Sequence, residues 1–264
     1  VNIDIWQDIP RMVEVVPEGE RETAVIQHMD IGEEHALRMM VQSKLGDPLA
    51  YTPAGTYCKL GVRASTPEVS EWNHRPGEAW DLMMSDTYME RVTQLEFFAN
   101  AHGDVLIAGL GIGMILPPLC ADPDVRSVTV VELNADVIDL VEAPVRRWIQ
   151  QEYSLEAARK LAVVEHDIYK YVPPKGINFD CIYFDIWPNR STDNLPEMAR
   201  LHRRFARYKR DRQCWMGSWY REELKRRLRQ EEAESRAIRK LLAVYERSHG
   251  HPIPGFRSVL NDES

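Results

Sequence analysis

The stretch "DVLIAGLGIGMILPPL", Asp104–Leu119, runs from an apolar segment into three glycines at alternate positions, Gly109, Gly111 and Gly113, and back into an apolar segment. The segment 104–108 reads as a buried strand, and Ile112–Cys120 as a short helix that tolerates Pro117 and Pro118 only in its first turn. Residues without a Cβ let the backbone take φ > 0 and pass close to a ligand. The helix that follows offers unpaired N–H groups to a carboxylate or phosphate. The alternative is a tight strand-to-helix turn that binds nothing.

Working outward, the same alternation repeats. "SVTVVE" (127–132), "KLAVVEHD" (160–167), "FDCIYFD" (179–185) and "QCWMGSW" (213–219) read as further strands. Helices are expected over 134–151 with Asn134 as N-cap, over 195–210, and over 220–247. Strands alternating with helices predict a parallel sheet covered on both faces. Upstream, "MVEVVPE", "ETAVIQHMDI" and "TYCKLGVRAS" read as short strands, the last entered by the turn "TPAG". "EVSEWNHRPGEAW" reads as irregular. From Asp81 to Ala101 the spacing of Leu82, Met89, Val92, Leu95, Phe98 and Ala99 predicts a helix, capped by Ser85 or Asp86. The expected organisation is a β-rich extension over 1–80 and a second domain over 81–264, with a helical C-terminal segment from about 195.

The 264 residues are 44% hydrophobic and 28% charged, an ordinary globular balance. No apolar run approaches a membrane span, and the opening "VNIDIWQDIP" has no secretory signal pattern. Cys58, Cys120, Cys181 and Cys214 are scattered, which predicts reduced thiols in a cytoplasmic protein. No His, Cys or acidic set has metal-ligand spacing, so no metal is assigned. The net charge of −8 is uneven: 200–247 holds 16 Lys/Arg against 7 Asp/Glu. That segment could meet nucleic acid or a partner protein, but its alternating signs fit a solvated helix laced with i,i+4 ion pairs better.

In an open parallel sheet, ligands bind outside the carboxyl ends of the strands. Read in order, those ends carry the glycine loop, Glu132, Asp167 and Asp185. A dinucleotide fingerprint G-x-G-x-x-G fails: Met114 stands at the third position counted from Gly109, and Leu116 counted from Gly111. No P-loop lysine follows. Glu132, 23 residues after Gly109, sits where an acid accepts both hydroxyls of a ribose. A ligand with a ribose and no pyrophosphate fits best.

The segments "VLIAGLGIG", "VTVVELNADVI", "VVEHDIYKYV" and "FDCIYFDIWP" resemble, in order and spacing, the successive motifs of class I S-adenosylmethionine-dependent methyltransferases. "TYMERVTQ" further resembles the spermidine-synthase-like branch, with Tyr88 and Glu90 in place and Met89 where that branch has His. The resemblance covers about 80–190 and implies a Rossmann-like α/β fold, mostly parallel, with S-adenosyl-L-methionine as cofactor. It implies that Gly109–Gly113 faces the methionine portion, Glu132 takes the ribose, and Leu133 lines the adenine. Asp167 and the Ile168 N–H would meet adenine nitrogens. Glu90 and Gln94 would bind the cofactor, and Asp185 would lie near the sulfonium, either as a base or as a ligand of the cofactor's ammonium. Tyr88, Trp187, Trp215 and Trp219 would wall the acceptor pocket, although Trp187 reads equally as a core aromatic.

Methyl transfer to a small-molecule amine or hydroxyl is the leading expectation, in a protein that could form a homodimer. Aminopropyl transfer is the alternative. It is disfavoured by Ile112, which stands where that branch has Asp in the loop, and by "DIWPN", which replaces its acidic run. A non-catalytic module holding nucleic acid or a partner is the third reading. "DIWP" does not satisfy the motif of DNA amino-methyltransferases.

Overall fold

Two sheets of opposite character divide the chain. The computed structural model describes residues 4–46, 49, 51–63 and 80–249. The N-terminal sheet is antiparallel, with strands β1 (Gly19–Glu20), β2 (Ala24–Ile31), β3 (Gly55–Val62) and β4 (Asp81–Ser85) in the order 1-2-3-4. The second is wholly parallel: β5 (Gly103–Ala108), β6 (Val125–Glu132), β7 (Leu161–Glu165), β8 (Cys181–Phe184) and β9 (Trp215–Ser218), in the order 7-6-5-8-9. Its order reverses at β5, so the cleft that a parallel sheet offers opens beside the glycine loop. This is the Rossmann-like α/β arrangement the alternation predicts.

The helices are α1 (Met12–Val15), α2 (Glu33–Leu45), α3 (Tyr88–Thr93), α4 (Leu95–Asn100), α5 (Leu116–Ala121), α6 (Ala135–Glu152), α7 (Leu155–Arg159), α8 (Leu195–Phe205) and α9 (Arg221–His249). Adjacent residues of β8 show both faces covered. Tyr183 stacks on Phe97 of α4, while Phe184 meets Phe205 of α8. Pro117 and Pro118 fall in the first turn of α5, where their missing N–H groups cost nothing. Asn134 caps α6 by accepting from the amides of Asp136 and Val137. At the amino end of the sheet, Arg126 and Arg210 clamp Asp104 and Asp180 together.

The chain divides into two compact units. One comprises Val1–Asn189 and Pro196–Trp219, the other Arg190–Leu195 and Tyr220–Ser264. Within the second, α9 carries ion pairs Lys225–Glu222, Arg226–Glu223, Arg227–Glu223 and Arg236–Glu232. Among the described residues no helix is long and apolar enough to cross a membrane. All four cysteines are free and buried, and burial pushes the thiols of Cys58 and Cys120 up to about 12.

Three expectations are corrected in the N-terminal half. Met12–Val15 is a helical turn, not a strand: Met12, Val15 and Val16 point inward together at helical spacing. Glu33–Leu45 is a helix with Ala36 as its one buried residue; Leu37, Val41 and Leu45 recur at helical spacing but are exposed. Asp81–Ser85 is a strand, not the start of a helix, because it pairs with β3 across a bulge at Leu60/Gly61. Leu82 is accordingly exposed. Asp86 does not cap α3; Thr87 stands there, without a side-chain bond. The expected irregular segment 68–80 lies outside the described residues except for Trp80.

Asp86 instead forms the central ion pair of the N-terminal half. It and Arg91 are each 2% exposed, and they meet at 3.0 Å. Arg91 donates from Nε to the Asp86 carbonyl, from Nη1 to the carbonyls of Ile5 and Ile9, and from Nη2 to Pro10 O and Asp86 Oδ2. All five of its N–H donors are used. Asp86 accepts from the amides of Met12 and Cys58, and the ring of Trp6 covers the guanidinium at 5.4 Å. Arg91→Met leaves the carboxylate buried and alone, and is expected to cost about 3–5 kcal/mol in urea unfolding. A loss below 1 kcal/mol would remove the pair from this role.

Candidate functional site

Because β5 to β8 run parallel, their carboxyl ends share one rim, and the glycine loop, Glu132, Asp167 and Asp185 all follow those ends. The loop has Gly109, Gly111 and Gly113 at φ +96°, +53° and +73°. A Cβ on Gly109 would strike the carbonyl of Asp185, and one on Gly111 the thioether of Met84 on β4. The protein's own packing therefore already demands these glycines, as the ligand-free turn reading holds. What points to a ligand is the backbone. Gly109 N donates to Val131 O, Leu110 N to Glu132, and Gly113 N to Leu110 O. Among the described residues the amides of Gly111 and Ile112 have no acceptor.

Glu132 is half-buried and bridges two elements. Oε2 takes the Leu110 amide at 2.7 Å and Oε1 the Asn134 amide at 2.8 Å. Each oxygen keeps a second lone pair. Leu133 beside it is exposed. Asp167 Oδ1 accepts from the Tyr169 amide at 2.8 Å, and Lys170 lies 3.3 Å from Oδ2. Ile168 turns its side chain into the core.

At the β8 end, Asp185 Oδ2 accepts from Nε2 of Gln94 at 3.0 Å. Gln94 closes α3 one turn after Glu90, and both are buried. Burial pushes the Asp185 carboxyl up to about 6, against the lowering pull of the Gln94 bond. Oε1 of Gln94 and the hydroxyl of Tyr183 are buried with no hydrogen bond. Trp219 donates its indole N–H to Thr93 Oγ1 at 3.0 Å, which fixes it beside the same helix.

The other aromatic candidates turn elsewhere. Tyr88 stacks on Trp6 at 6.1 Å. Trp187 is buried, and its indole donates to Glu197 of α8, which also accepts from Tyr169. Trp215 starts β9, and its ring lies over Gly217, where a Cβ would collide with it. Its residue also lines an open cavity of about 510 Å³ at the amino end of the sheet, with Asn100, His102, Asp124, Gln213 and Cys214. Tyr183 and Met84 were not legible as site residues. "FDCIYFD" reads as strand alone, and Met84 reaches the loop from the other sheet. Among the described residues no group of three or more His, Cys, Asp or Glu is placed to hold a metal ion.

The raised Asp185 carboxyl has a consequence for stability. Its folded pKa of about 6 lies above the unfolded value, so the native state binds the extra proton between about pH 4 and 6. Its contribution is largest at low pH and is lost as pH rises through that window, by about 2–3 kcal/mol. Tm measured from pH 4 to 7 is expected to fall less steeply in Asp185→Asn than in wild type. Parallel curves would show that Asp185 titrates normally.

No protein-family model matches the chain. No curated protein matches it either. Among solved structures, the CcbJ methyltransferase of Streptomyces caelestis is 15% identical over 46% of this chain and 44% of its own, with TM-score 0.33. The glycopeptide N-methyltransferase MtfA, solved with S-adenosylhomocysteine, is 19% identical over 36% and 34%, with TM-score 0.28. A dimethyladenosine transferase of Plasmodium falciparum is 26% identical over 33% and 27%, with TM-score 0.25. The chain spans less than half the length of each of these three.

Proposed function

We propose that this protein is an S-adenosylmethionine-dependent transferase that moves a methyl group to an amine or hydroxyl of a small molecule. The observation that carries this reading is Glu132. Its carboxylate joins the glycine loop to the start of α6 while keeping lone pairs for a ribose, next to two unpaired loop amides. The rim fits the cofactor on its own terms. Gly111 N and Ile112 N would receive its carboxylate, Glu132 its ribose hydroxyls, and Leu133, Asp167 and the Ile168 N–H its adenine. The buried, partnerless Gln94 Oε1 is an acceptor suited to an ammonium.

When bound, the cofactor supplies an electrophilic methyl on a sulfonium. The protein's own work is alignment, exclusion of water and proton handling. Gln94 holds Oδ2 of Asp185, which leaves Oδ1 to take the proton of the acceptor. A carboxyl near 6 is well matched to that task near neutral pH. Glu90 and Gln94 on α3, set against the β8 end, support the spermidine-synthase-like arrangement. Ile112 in the loop supports methyl over aminopropyl transfer.

Calorimetry with S-adenosylhomocysteine is expected to show binding that Glu132→Ala weakens by about 1.5–3 kcal/mol, roughly ten- to hundredfold in Kd. Equal affinity in both proteins removes the ribose assignment. Asp185→Asn is expected to lower turnover far more than cofactor affinity; if the two fall together, Asp185 is a cofactor ligand and not the base.

A further inference from the structure

The rim carboxylates after β7 and β8 have matching neighbours. Asp167 and Asp185 each stand two residues before an aromatic that carries a polar hydrogen, Tyr169 and Trp187. Both donate to one atom, Oε2 of Glu197 in the first turn of α8, the phenol O–H at 3.1 Å and the indole N–H at 3.2 Å. A carboxylate oxygen has two lone pairs, and the two donors fill them. Trp187 is 6% exposed, so its N–H has left water and depends on this acceptor. Burial, and after it Glu197, pushes the Tyr169 phenol up to about 12, so its hydroxyl stays protonated and donates.

The bridge joins strands that are not neighbours. In the order 7-6-5-8, two strands separate β7 from β8, a span of roughly 14 Å at ordinary strand spacing. The backbone ladder passes from one to the other only through β6 and β5. The side chains of Tyr169, Glu197 and Trp187 join the two exits directly. Further along α8 the β7 exit is held twice more. Arg200 lies over the Tyr169 ring at 5.3 Å, and Nη2 of Arg204 donates to Tyr171 O at 2.8 Å. Positions 197, 200 and 204 fall on one helix face. The adjoining face, with Met198, Leu201 and Phe205, is buried. On the β7 side the hold reaches the carboxylate itself, since Oδ1 of Asp167 accepts from the Tyr169 amide at 2.8 Å.

We propose that Glu197 is a positioning residue of the rim site: by holding Tyr169 and Trp187 on one oxygen, it fixes the separation of Asp167 and Asp185. A ligand that must reach both carboxylates then meets them already in register, and binding has less left to order. The inference deepens the transferase reading and rests on it for the ligand that spans the two ends.

The first readout is ligand-free. In the full chain with ¹⁵N-labelled tryptophan, the Trp187 indole signal is assigned by its loss in Trp187→Phe. Tyr169→Phe keeps the ring and removes the competing donor from Oε2, and is expected to shift the indole proton downfield. Glu197→Leu is expected to shift it upfield. Glu197→Gln keeps an oxygen for both donors and is expected to leave it near the wild-type position. An indole signal unmoved by Tyr169→Phe, or moved as far by Glu197→Gln as by Glu197→Leu, overturns the proposal. The second readout compares a ligand that spans both ends with one that reaches only the Asp167 end. Glu197→Leu is expected to weaken S-adenosylhomocysteine roughly tenfold, while adenosine, followed in the same spectra, changes less than about twofold. Equal losses for the two show that Glu197 only shapes the adenine end, and an unchanged affinity for S-adenosylhomocysteine shows that it sets no separation; either result overturns the proposal. If wild type binds no S-adenosylhomocysteine, the transferase reading fails and the indole spectra judge Glu197. Normal binding beside an indole signal that ignores Tyr169→Phe sinks Glu197 alone.

Discussion

The ion pair of Asp86 and Arg91 is the constraint on which the rest of the N-terminal half depends. Two charges buried this far lose their hydration, and their mutual attraction offsets that loss only if every other donor and acceptor is also met. Here Arg91 gathers the carbonyls of Ile5, Ile9 and Pro10, and Asp86 gathers the amides of Met12 and Cys58. Chain segments some eighty residues apart are therefore fixed to one another. The pair also seats α3, on which Glu90 precedes Arg91 and Gln94 follows it by three residues. Gln94 reaches Asp185 because Arg91 cannot leave its place. A structural interaction on one sheet thus sets the geometry of the rim on the other.

The centre of the parallel sheet is legible because β5 and β8 are buried on both faces. A strand of that kind is apolar at every position, and "VLIA" and "CIYF" need no partner to be recognised. The N-terminal elements lacked any such local signature. Met12–Val15 turns helical under contacts with residues far along the chain, including the Met12 amide on Asp86. Asp81–Ser85 became a strand because β3 lies beside it, although its apolar spacing joined smoothly to that of the helix that follows.

The rim shows the same division. Gly109–Gly113, Glu132, Asp167 and Asp185 could be placed from the sequence, because a strand's end fixes where its next residue lies. The direction of a long side chain could not. Trp187 and Trp215 stand in segments that border the rim, but Glu197 draws one indole aside and the space over Gly217 takes the other. Tyr183 is illegible for a related reason. The alternation that marks β8 says which face a residue takes, and says nothing of a hydroxyl that ends buried with no hydrogen bond.

The glycine loop draws these threads together. Its inner side is pinned by the Asp185 carbonyl at Gly109, by Met84 at Gly111 and by Val141 and Val145 at Gly113. With three positive-φ residues so close together, the chain has little freedom left. That rigidity fixes the two amides that remain unpaired, those of Gly111 and Ile112. A loop held from behind by packing, with its donors directed by backbone conformation, loses little further entropy on binding. The packing role of the glycines and their binding role are therefore one arrangement. Met84 is the link that carries it between the sheets, since the β4 strand that supplies it is anchored through β3 to the amide of Cys58, and so to Asp86.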